Sequence, residues 1–310
     1  MADLELTSTF THDDWTIRYG LHEPHSTPPT TRPLSTAVFI HGTPWSFTVF
    51  QPLARALLSR STHRILLYDL PGYGQSQHIS PSTKISSHNN QFSGSTSVRS
   101  QASALAALLA HLNLTGQCAS QAPPAVIAHD IAGSIALRAH LIHGCDFQGL
   151  FLLDTNAVLP WGDGFYRLVR EQPHVFLQLP PAIFEAVVRA VVRSAVHDPA
   201  ALDGGWEEKL VAPWLGGEGQ RSFVRQIAQA DDADVREMLD GKMYSRVRCR
   251  VKIVWGAEDK WIPRGRMEKL GELLGDRLGG FVVVGGAGHL CMLDQPRRIE
   301  EEVFKWIEDL

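Results

Sequence analysis

The sequence predicts an α/β fold, in which a mostly parallel, doubly wound sheet carries an inserted helical cap. Three observations predict it: short apolar runs alternate with helical stretches, one long helical segment interrupts that alternation, and one strand passes into a helix almost without a turn. Apolar residues make up 44% of the 310-residue chain and charged residues 20%, which is ordinary for a globular protein with a sizeable core.

Six short apolar runs are the predicted strands. Each is rich in Val, Ile and Leu and ends at a glycine or a polar residue, which is typical of strands covered on both faces of a parallel sheet. They occupy residues 36–42, 64–70, 125–130, 149–154, 251–256 and 281–286. Because helical patterns lie between them, we expect right-handed crossovers that bring the carboxyl ends of the strands to one edge, where such sheets bind ligands.

Residues 156–246 break the alternation, because they contain helical patterns and Pro/Gly punctuation but no convincing buried strand. We predict that this stretch, the cap segment, covers one end of the sheet. Residues 1–155 and 247–310 then form the predicted core domain.

Charge and cysteine content exclude several classes of function. The net charge is −4 and both signs are interspersed, which indicates neither a nucleic-acid surface nor a basic membrane patch. The four cysteines lack the spacing of zinc ligands and fit a reducing compartment. No signal peptide or membrane-spanning apolar stretch is visible, so we expect a cytoplasmic protein, whose oligomeric state the sequence does not indicate.

The stretch A-V-I-A-H-D-I-A-G (125–133) leads a buried strand directly into an apolar helix. A sharp strand-to-helix turn requires small residues around its tip, and alanines together with Gly133 supply them around Asp130. Asp130 is therefore the predicted nucleophile, projecting above the carboxyl ends of the strands. Two alternatives stay open. Asp130 simply caps the helix, or Ser134 is the nucleophile of a strand that continues through Asp130 and buries its charge.

His289 follows the last predicted strand in the loop G-G-A-G-H (285–289), from which it can reach the elbow. A catalytic histidine needs an acid to orient it. Asp259 follows the preceding strand and is the first candidate, ahead of Glu258 beside it, and Asp154 after an earlier strand is the runner-up. The simpler alternative for each carboxylate is local hydrogen bonding at a strand end.

The segment H-G-T-P after the first of these strands is the candidate oxyanion loop. Its backbone amides, with the amide that follows the elbow, can form an oxyanion-type hole, although the alternative is a plain strand-to-helix turn. Thr43 and Trp45 are the candidate donors there, since Pro44 has no N–H. The residues predicted to form this part of the pocket are His41, Gly42, Thr43, Pro44, Trp45 and Ile131.

Taken together, these motifs resemble the α/β-hydrolase superfamily. H-G-T-P, Y-D-L-P-G-Y-G-Q-S, the elbow, W-G-A-E-D and G-A-G-H follow the superfamily's order over residues 36–310. H-D-I-A-G resembles the H-D-x-G-G elbow of the epoxide hydrolase and haloalkane dehalogenase branch. The resemblance implies that Asp130 attacks a saturated carbon and forms an ester, which a water activated by His289 then hydrolyses. It implies no metal or organic cofactor, because the triad supplies nucleophile, base and orienting acid.

The chemistry of a carboxylate agrees with that implication. An Asp is ionised at neutral pH, with an ordinary pKa of about 3.9, and needs no base to attack. An acyl substrate would give a reactive anhydride, whereas an epoxide or a carbon–halogen bond gives an ordinary ester. We therefore expect an epoxide of a small organic molecule as substrate. The alternatives are a carbon–halogen hydrolase with the same mechanism, a non-hydrolytic isomerase, lyase or cyclase, and a binding protein.

Two departures bear on the branch. Haloalkane dehalogenases hold halide with a Trp after the nucleophile and often an Asn after H-G, where this chain has Ile131 and Thr43. Epoxide hydrolases use two cap tyrosines to protonate the epoxide oxygen, and of the two here Tyr166 is the better candidate, because Tyr244 lies close to the returning strand. The cap residues predicted to line the pocket, with core packing as the alternative, are Trp161, Tyr166, His174, Trp214 and Tyr244.

Overall fold

The computed structural model describes residues 3–24, 34–60, 63–79, 92–117 and 122–310. Within these residues eight strands form one sheet. They are β1 (Ser8–His12), β2 (Trp15–His22), β3 (Ser35–Ile40), β4 (His63–Tyr68), β5 (Ala125–His129), β6 (Gly149–Leu153), β7 (Arg250–Gly256) and β8 (Leu278–Val284). Their order across the sheet is β1-β2-β4-β3-β5-β6-β7-β8.

The sheet is parallel from β4 to β8 and antiparallel at the β1–β2 edge. The predicted mostly parallel α/β fold is therefore confirmed, and each of the six predicted strands is present. The hairpin of β1 and β2 was not predicted, because more and less buried positions alternate along its strands, which therefore lack continuous apolar runs. β5 lies in the middle of the sheet with every residue buried, so its carboxyl end is the centre of the ligand-binding edge.

Helices before and after the cap segment cover the two faces of the sheet, as the alternating sequence pattern predicts. They are α1 (Gln51–Ser59), α2 (Val98–His111), α3 (Ile131–Leu141), α10 (Arg264–Leu274), α11 (Cys291–Asp294) and α12 (Pro296–Glu308). α3 is buried along nearly its whole length, which explains its run of small and apolar residues. None of the helices in the described parts of the chain is long and apolar enough to cross a membrane.

The cap segment is helical and contains no strand, as predicted. Its helices are α4 (Gly164–Glu171), α5 (Pro173–Leu177), α6 (Pro181–Ser194), α7 (Trp206–Val211), α8 (Gly219–Ala228) and α9 (Ala233–Asp240). Hydrogen bonds join it to loops at the carboxyl edge of the sheet: Trp214 Nε1 donates to the carbonyl of Pro44 at 2.9 Å, and Gln77 Nε2 donates to that of Pro213 at 2.7 Å. The division into a core domain and a cap domain stays a prediction.

Candidate active site

Asp130 occupies the tip of the turn between β5 and α3. Its φ of 55° and ψ of −127° are rare for a residue other than glycine. Two backbone hydrogen bonds of 3.0 Å hold it, from its amide to the carbonyl of Leu153 and from the amide of Asn156 to its carbonyl. Its side chain makes no capping hydrogen bond to α3, so the carboxylate is left to face the cavity described below.

The tightness of this turn depends on glycine at two positions. A Cβ atom on Gly133 would lie 2.1 Å from Cγ2 of Thr155, and a Cβ atom on Gly42 would lie 2.4 Å from Cβ of Asp130. Both distances are far shorter than a van der Waals contact. Gly133 therefore lets α3 pack against the end of the neighbouring strand, and Gly42 lets the oxyanion loop approach the carboxylate.

The Asp130 carboxylate is buried and hydrogen bonded on one oxygen. The backbone amide of Thr43 donates to its Oδ2 at 2.9 Å. Burial raises the pKa of Asp130, while His289 and the amides of Ile131 and Thr43 lower it in part. The prediction that the Trp45 amide is a second donor of the oxyanion hole is wrong, because this amide donates to the carbonyl of Gly42 at 3.0 Å inside the turn.

Ser134, the alternative nucleophile, does not face the cavity. β5 ends at His129 and α3 begins at Ile131, so the strand does not continue through Asp130. The Ser134 side chain is fully buried in α3, where its hydroxyl donates to the carbonyl of Asn156 at 2.8 Å. The Ser134 alternative is therefore wrong.

His289 lies between two carboxylates. Its Nδ1 is 2.9 Å from Oδ2 of Asp259, and its Nε2 is 3.9 Å from Oδ1 of Asp130. The first distance is a hydrogen bond, and the second is too long for one. Nε2 has no hydrogen-bond partner within the described residues, so it is available to a reacting group near Asp130.

Aromatic rings and charge both constrain His289. Its ring stacks on Trp261, with centroids 4.6 Å apart, and packs against His129 at 4.7 Å. The Nε2 atom of His129 lies 2.8 Å from the carbonyl oxygen of His289 and fixes its backbone. Burial lowers the pKa of His289, but the charges of Asp259 and Asp130 outweigh burial and raise the pKa to about 9.

Asp259 is positioned by its own loop. Its Oδ1 accepts hydrogen bonds from the amides of Trp261 at 2.7 Å and Ile262 at 3.1 Å, which leaves Oδ2 for His289. Three hydrogen bonds therefore converge on one carboxylate, an arrangement that fixes its orientation. Asp259 is the acid that the structure brings to the histidine.

The two other acid candidates hold different partners. Asp154 Oδ1 accepts from the amide of Gly256 at 2.7 Å, its Oδ2 has no partner within the described residues, and burial raises its pKa well above the usual range. Glu258 accepts from the amide of Ala287 at 2.9 Å. Neither makes a hydrogen bond to the ring of His289.

A cavity opens over Asp130 between the sheet edge and the cap segment. Of the predicted residues, it is lined by Thr43, Asp130, Ile131, Trp161 and Tyr166. The lining residues that were not predicted include Asn156, Asp163, Arg170, Gln226, Ile227 and Trp261.

Two predicted cap residues bring hydrogen-bond donors to this cavity. The hydroxyl of Tyr166 and the indole Nε1 of Trp161 are both buried and have no partner within the described residues. Burial raises the pKa of Tyr166 well above its usual range, so the phenol keeps its proton at neutral pH. Both groups are therefore poised to donate to a bound molecule.

Three other cap predictions are wrong, because these side chains do not line the cavity. Trp214 is buried and donates its indole N–H to Pro44, as described above. Tyr244 is 2% exposed and donates its hydroxyl to the carbonyl of Ala157 at 2.7 Å. His174 lies on α5 with its side chain exposed. Core packing, the alternative interpretation, describes the first two.

His41 and Tyr73 support the oxyanion loop from behind. Burial lowers the pKa of His41 to about 4, so its ring is neutral, with Nδ1 3.0 Å from the carbonyl of Gly42 and Nε2 accepting from the amide of Leu70 at 3.0 Å. Tyr73 was not predicted; its hydroxyl lies 2.7 Å from Oγ1 of Thr43. Both side chains are buried and shape the loop instead of lining the cavity.

The described residues contain no group of three or more His, Cys, Asp or Glu side chains placed to hold a metal ion.

Comparison with known proteins agrees with this fold. Residues 37–302 match the model of a family described as the alpha/beta hydrolase family. An alpha/beta hydrolase fold protein from Burkholderia ambifaria superposes with a TM-score of 0.80 and 31% identity, covering 98% of this chain and 99% of that one. No curated protein matches the chain.

More distant structures share the fold alone. A thermophilic esterase from Thermogutta terrifontis has a TM-score of 0.70 and 19% identity, covering 99% of this chain and 98% of that one. An enol-lactonase from Burkholderia xenovorans has a TM-score of 0.68 and 12% identity, covering 95% and 97%. At such identities the likeness carries no information on substrate.

Proposed function

The chain belongs to the alpha/beta hydrolase family, and from that premise we propose that it hydrolyses an epoxide of a small organic molecule, with the Asp130 carboxylate as nucleophile. One observation carries the proposal. A buried carboxylate stands at the tip of the elbow, faces the cavity and lies beside the His289–Asp259 pair. A carboxylate nucleophile favours a saturated carbon, because its attack there gives an ester that water can hydrolyse. Attack on an acyl group would instead give a reactive anhydride.

The two oxygens of Asp130 have different surroundings, which assigns their roles. Oδ2 accepts the Thr43 amide, whereas Oδ1 lies on the side of His289, 3.9 Å from its Nε2. In the proposed first step Oδ1 forms the new bond to an epoxide carbon while the carbon–oxygen bond of the ring breaks. Oδ2 then becomes the carbonyl oxygen of the ester, already held by the donor that stabilises it when water adds.

Ring opening leaves an electron pair on the epoxide oxygen, which takes a proton from a donor in the cavity. Tyr166 fits that role, because its buried hydroxyl lines the cavity without a partner and retains its proton. Trp161 offers a second N–H beside it. Tyr244 donates its hydroxyl to the carbonyl of Ala157 instead, so in this proposal the second hydrogen bond to the epoxide oxygen comes from the Trp161 indole.

Ester formation changes the charge around His289 in the direction that catalysis needs. In the free enzyme both carboxylates raise the pKa of the imidazole, to about 9. Once Asp130 is esterified it carries no charge, the pKa of His289 falls, and its proton can replace the one lost by Tyr166. The neutral imidazole then takes a proton from water, whose oxygen adds to the ester carbonyl. Collapse expels the alkoxide, which takes the proton from His289 and leaves as the diol. The proton of the regenerated Asp130 acid then passes to His289, which restores the starting carboxylate and imidazolium.

The test is to trap the ester. His289→Gln removes the base for the water step while leaving Oδ1 of Asp130 free to attack. Incubated with a panel of epoxides, this variant should gain the mass of one substrate molecule on a peptide that contains Asp130. His289→Gln combined with Asp130→Ala is the matched control and should gain none. Absence of any adduct, together with absence of turnover by the wild type across the panel, would overturn the proposal.

A carbon–halogen hydrolase with the same mechanism is the second candidate, favoured by the unpartnered indole N–H of Trp161 in the cavity, a group suited to holding halide. Release of halide from halocarbons, without turnover of epoxides, would select it. Reaction in water labelled with heavy oxygen separates both candidates from an isomerase, lyase or cyclase, whose product would carry no label.

A further inference from the structure

Gln226 places an amide in a wall of the cavity that the proposed chemistry does not use. It belongs to α8, is 1% exposed, and lines the cavity beside Ile227. Both its Nε2 and its Oε1 are buried, and neither has a hydrogen-bond partner within the described residues. Ser222 and Arg225 of the same helix are also buried, but Nη2 of Arg225 donates to Oγ of Ser222 at 2.9 Å, and neither is hydrogen bonded to the Gln226 amide.

A buried amide with no partner is unfavourable for folding, and an apolar side chain of the same shape would serve packing better. Such a group is therefore expected where a ligand supplies the missing partners. An amide offers one acceptor and two donors, which suits a ligand group that both donates and accepts. Hydroxyl and carboxamide groups have that property.

The charges around the cavity indicate that this ligand group is neutral. Two lining side chains, Asp130 and Asp163, are carboxylates. The lining cation, Arg170, is already engaged: its Nη1 donates to Oδ1 of Asp232 and to the carbonyl of Ala230, each at 3.1 Å. A substrate carboxylate would thus meet negative charge with no unengaged cation among the described lining residues.

We propose that Gln226 is a specificity-determining residue that binds a hydroxyl or carboxamide group on the substrate, at a position other than the reacting carbon. This rests on the proposed function, and it narrows the substrate class to neutral epoxides that carry such a group. Oε1 of Gln226 accepts the ligand's proton, and Nε2 donates to the ligand's oxygen.

The experiment compares an epoxyhexane with the same epoxyhexane bearing a terminal hydroxyl. Wild-type enzyme should show the higher kcat/KM for the hydroxylated epoxide. Gln226→Met keeps the length of the side chain but removes both hydrogen bonds, and it should reduce that preference about tenfold. Ile227→Val is the matched control on the same wall and should change both rates by a similar factor.

A binding measurement separates this inference from the proposed chemistry. Calorimetry with the corresponding hexanediol and hexanetriol needs no turnover. The wild type should bind the triol more tightly than the Gln226→Met variant binds it, and the two proteins should differ less in their affinity for the diol. That result would support the role of Gln226 even if no epoxide were hydrolysed. If the wild type and a folded Gln226→Met variant showed the same preference for the hydroxylated compound over the plain one, in rates and in binding, the proposal would be overturned. Gln226→Leu replaces the Met variant if the latter does not fold.

Discussion

The Nε2 atom of His289 lies 3.9 Å from Oδ1 of Asp130, beyond hydrogen-bond distance but close enough for their charges to interact strongly. The other side of the imidazole is hydrogen bonded to Asp259 at 2.9 Å. The histidine is therefore oriented by one carboxylate and tuned by the other. The pKa of His289 therefore depends on whether Asp130 is charged.

Removing the charge of Asp130 should lower the pKa of His289. The imidazole has a pKa of about 9, and Asp130 is among the charges that raise it. In Asp130→Asn that contribution disappears while the side chain keeps its size, so we expect the pKa to shift clearly below 9. The measurement is an NMR titration of the imidazole carbon-bound protons. Glu258→Gln, which changes a carboxylate bound to the Ala287 amide instead, is the control; an unshifted pKa in Asp130→Asn would contradict the proposed coupling.

Substitution of the two candidate acids should separate their roles. Asp259→Asn removes the charge beside His289 and disturbs the tautomer that its Nδ1 hydrogen bond selects, so we expect kcat to fall by roughly 10³-fold or more. Asp154→Asn should have a far smaller effect, because Asp154 makes no hydrogen bond to the ring of His289 and the new amide can still accept from the N–H of Gly256. Steady-state kinetics on one epoxide measures both. Equal losses would show that Asp154 shares the orienting role.

Changing each tyrosine of the cap segment to phenylalanine should affect the reaction rate in one case and the stability of the protein in the other. Tyr166→Phe removes the proposed proton donor and should lower the rate of ester formation by about 10²-fold or more. Its stability should hardly change, since the hydroxyl has no partner to lose within the described residues. Tyr244→Phe instead leaves the carbonyl of Ala157 unpaired and should lower the free energy of unfolding by about 1–3 kcal/mol. Single-turnover kinetics and denaturant unfolding test the pair, and the reverse pattern would refute it.

Stability should decline with pH through the titration of His289. Its folded pKa of about 9 lies above its ordinary value of 6.5, so its stabilising contribution is complete below 6.5 and is lost as pH rises through 9. Unfolding of the wild type and of His289→Gln, measured from pH 6.5 to 9, should show the steeper decline in the wild type. Parallel curves would mean that the histidine titrates alike in the folded and unfolded chains.

The parts of the site that follow from local sequence or from parallel topology were predictable. The elbow is specified by the small residues around Asp130, and loops after parallel strands must meet at one edge, which places His289 and Asp259 near it. The cap was less predictable, because the face that each helix turns toward the cavity depends on how the helices cross. Position along the chain favours Tyr166 over Tyr244, which lies close to the returning strand, but only packing shows which side chain faces the cavity.

One feature that was not predicted did leave a signal in the sequence. The β1–β2 hairpin shows the alternation of a half-buried antiparallel pair, which a search for continuous apolar runs does not detect. By contrast, nothing in H-G-T-P indicates that the Trp45 amide turns back to Gly42.

Gly42 should be indispensable because it lets the oxyanion loop approach Asp130. In Gly42→Ala the new methyl group would lie 2.4 Å from Cβ of Asp130 and 2.9 Å from the carbonyl oxygen of His129, so backbone must move. We expect the Thr43 amide to leave Oδ2, with a loss of about 10²-fold in kcat if that one donor is lost. Gly265→Ala, an exposed position on α10 with nothing within 4 Å of the new Cβ, is the control and should leave kcat unchanged while stabilising the helix by about 0.5–1 kcal/mol. Full activity in Gly42→Ala would show that the loop's approach to the carboxylate does not serve the reaction.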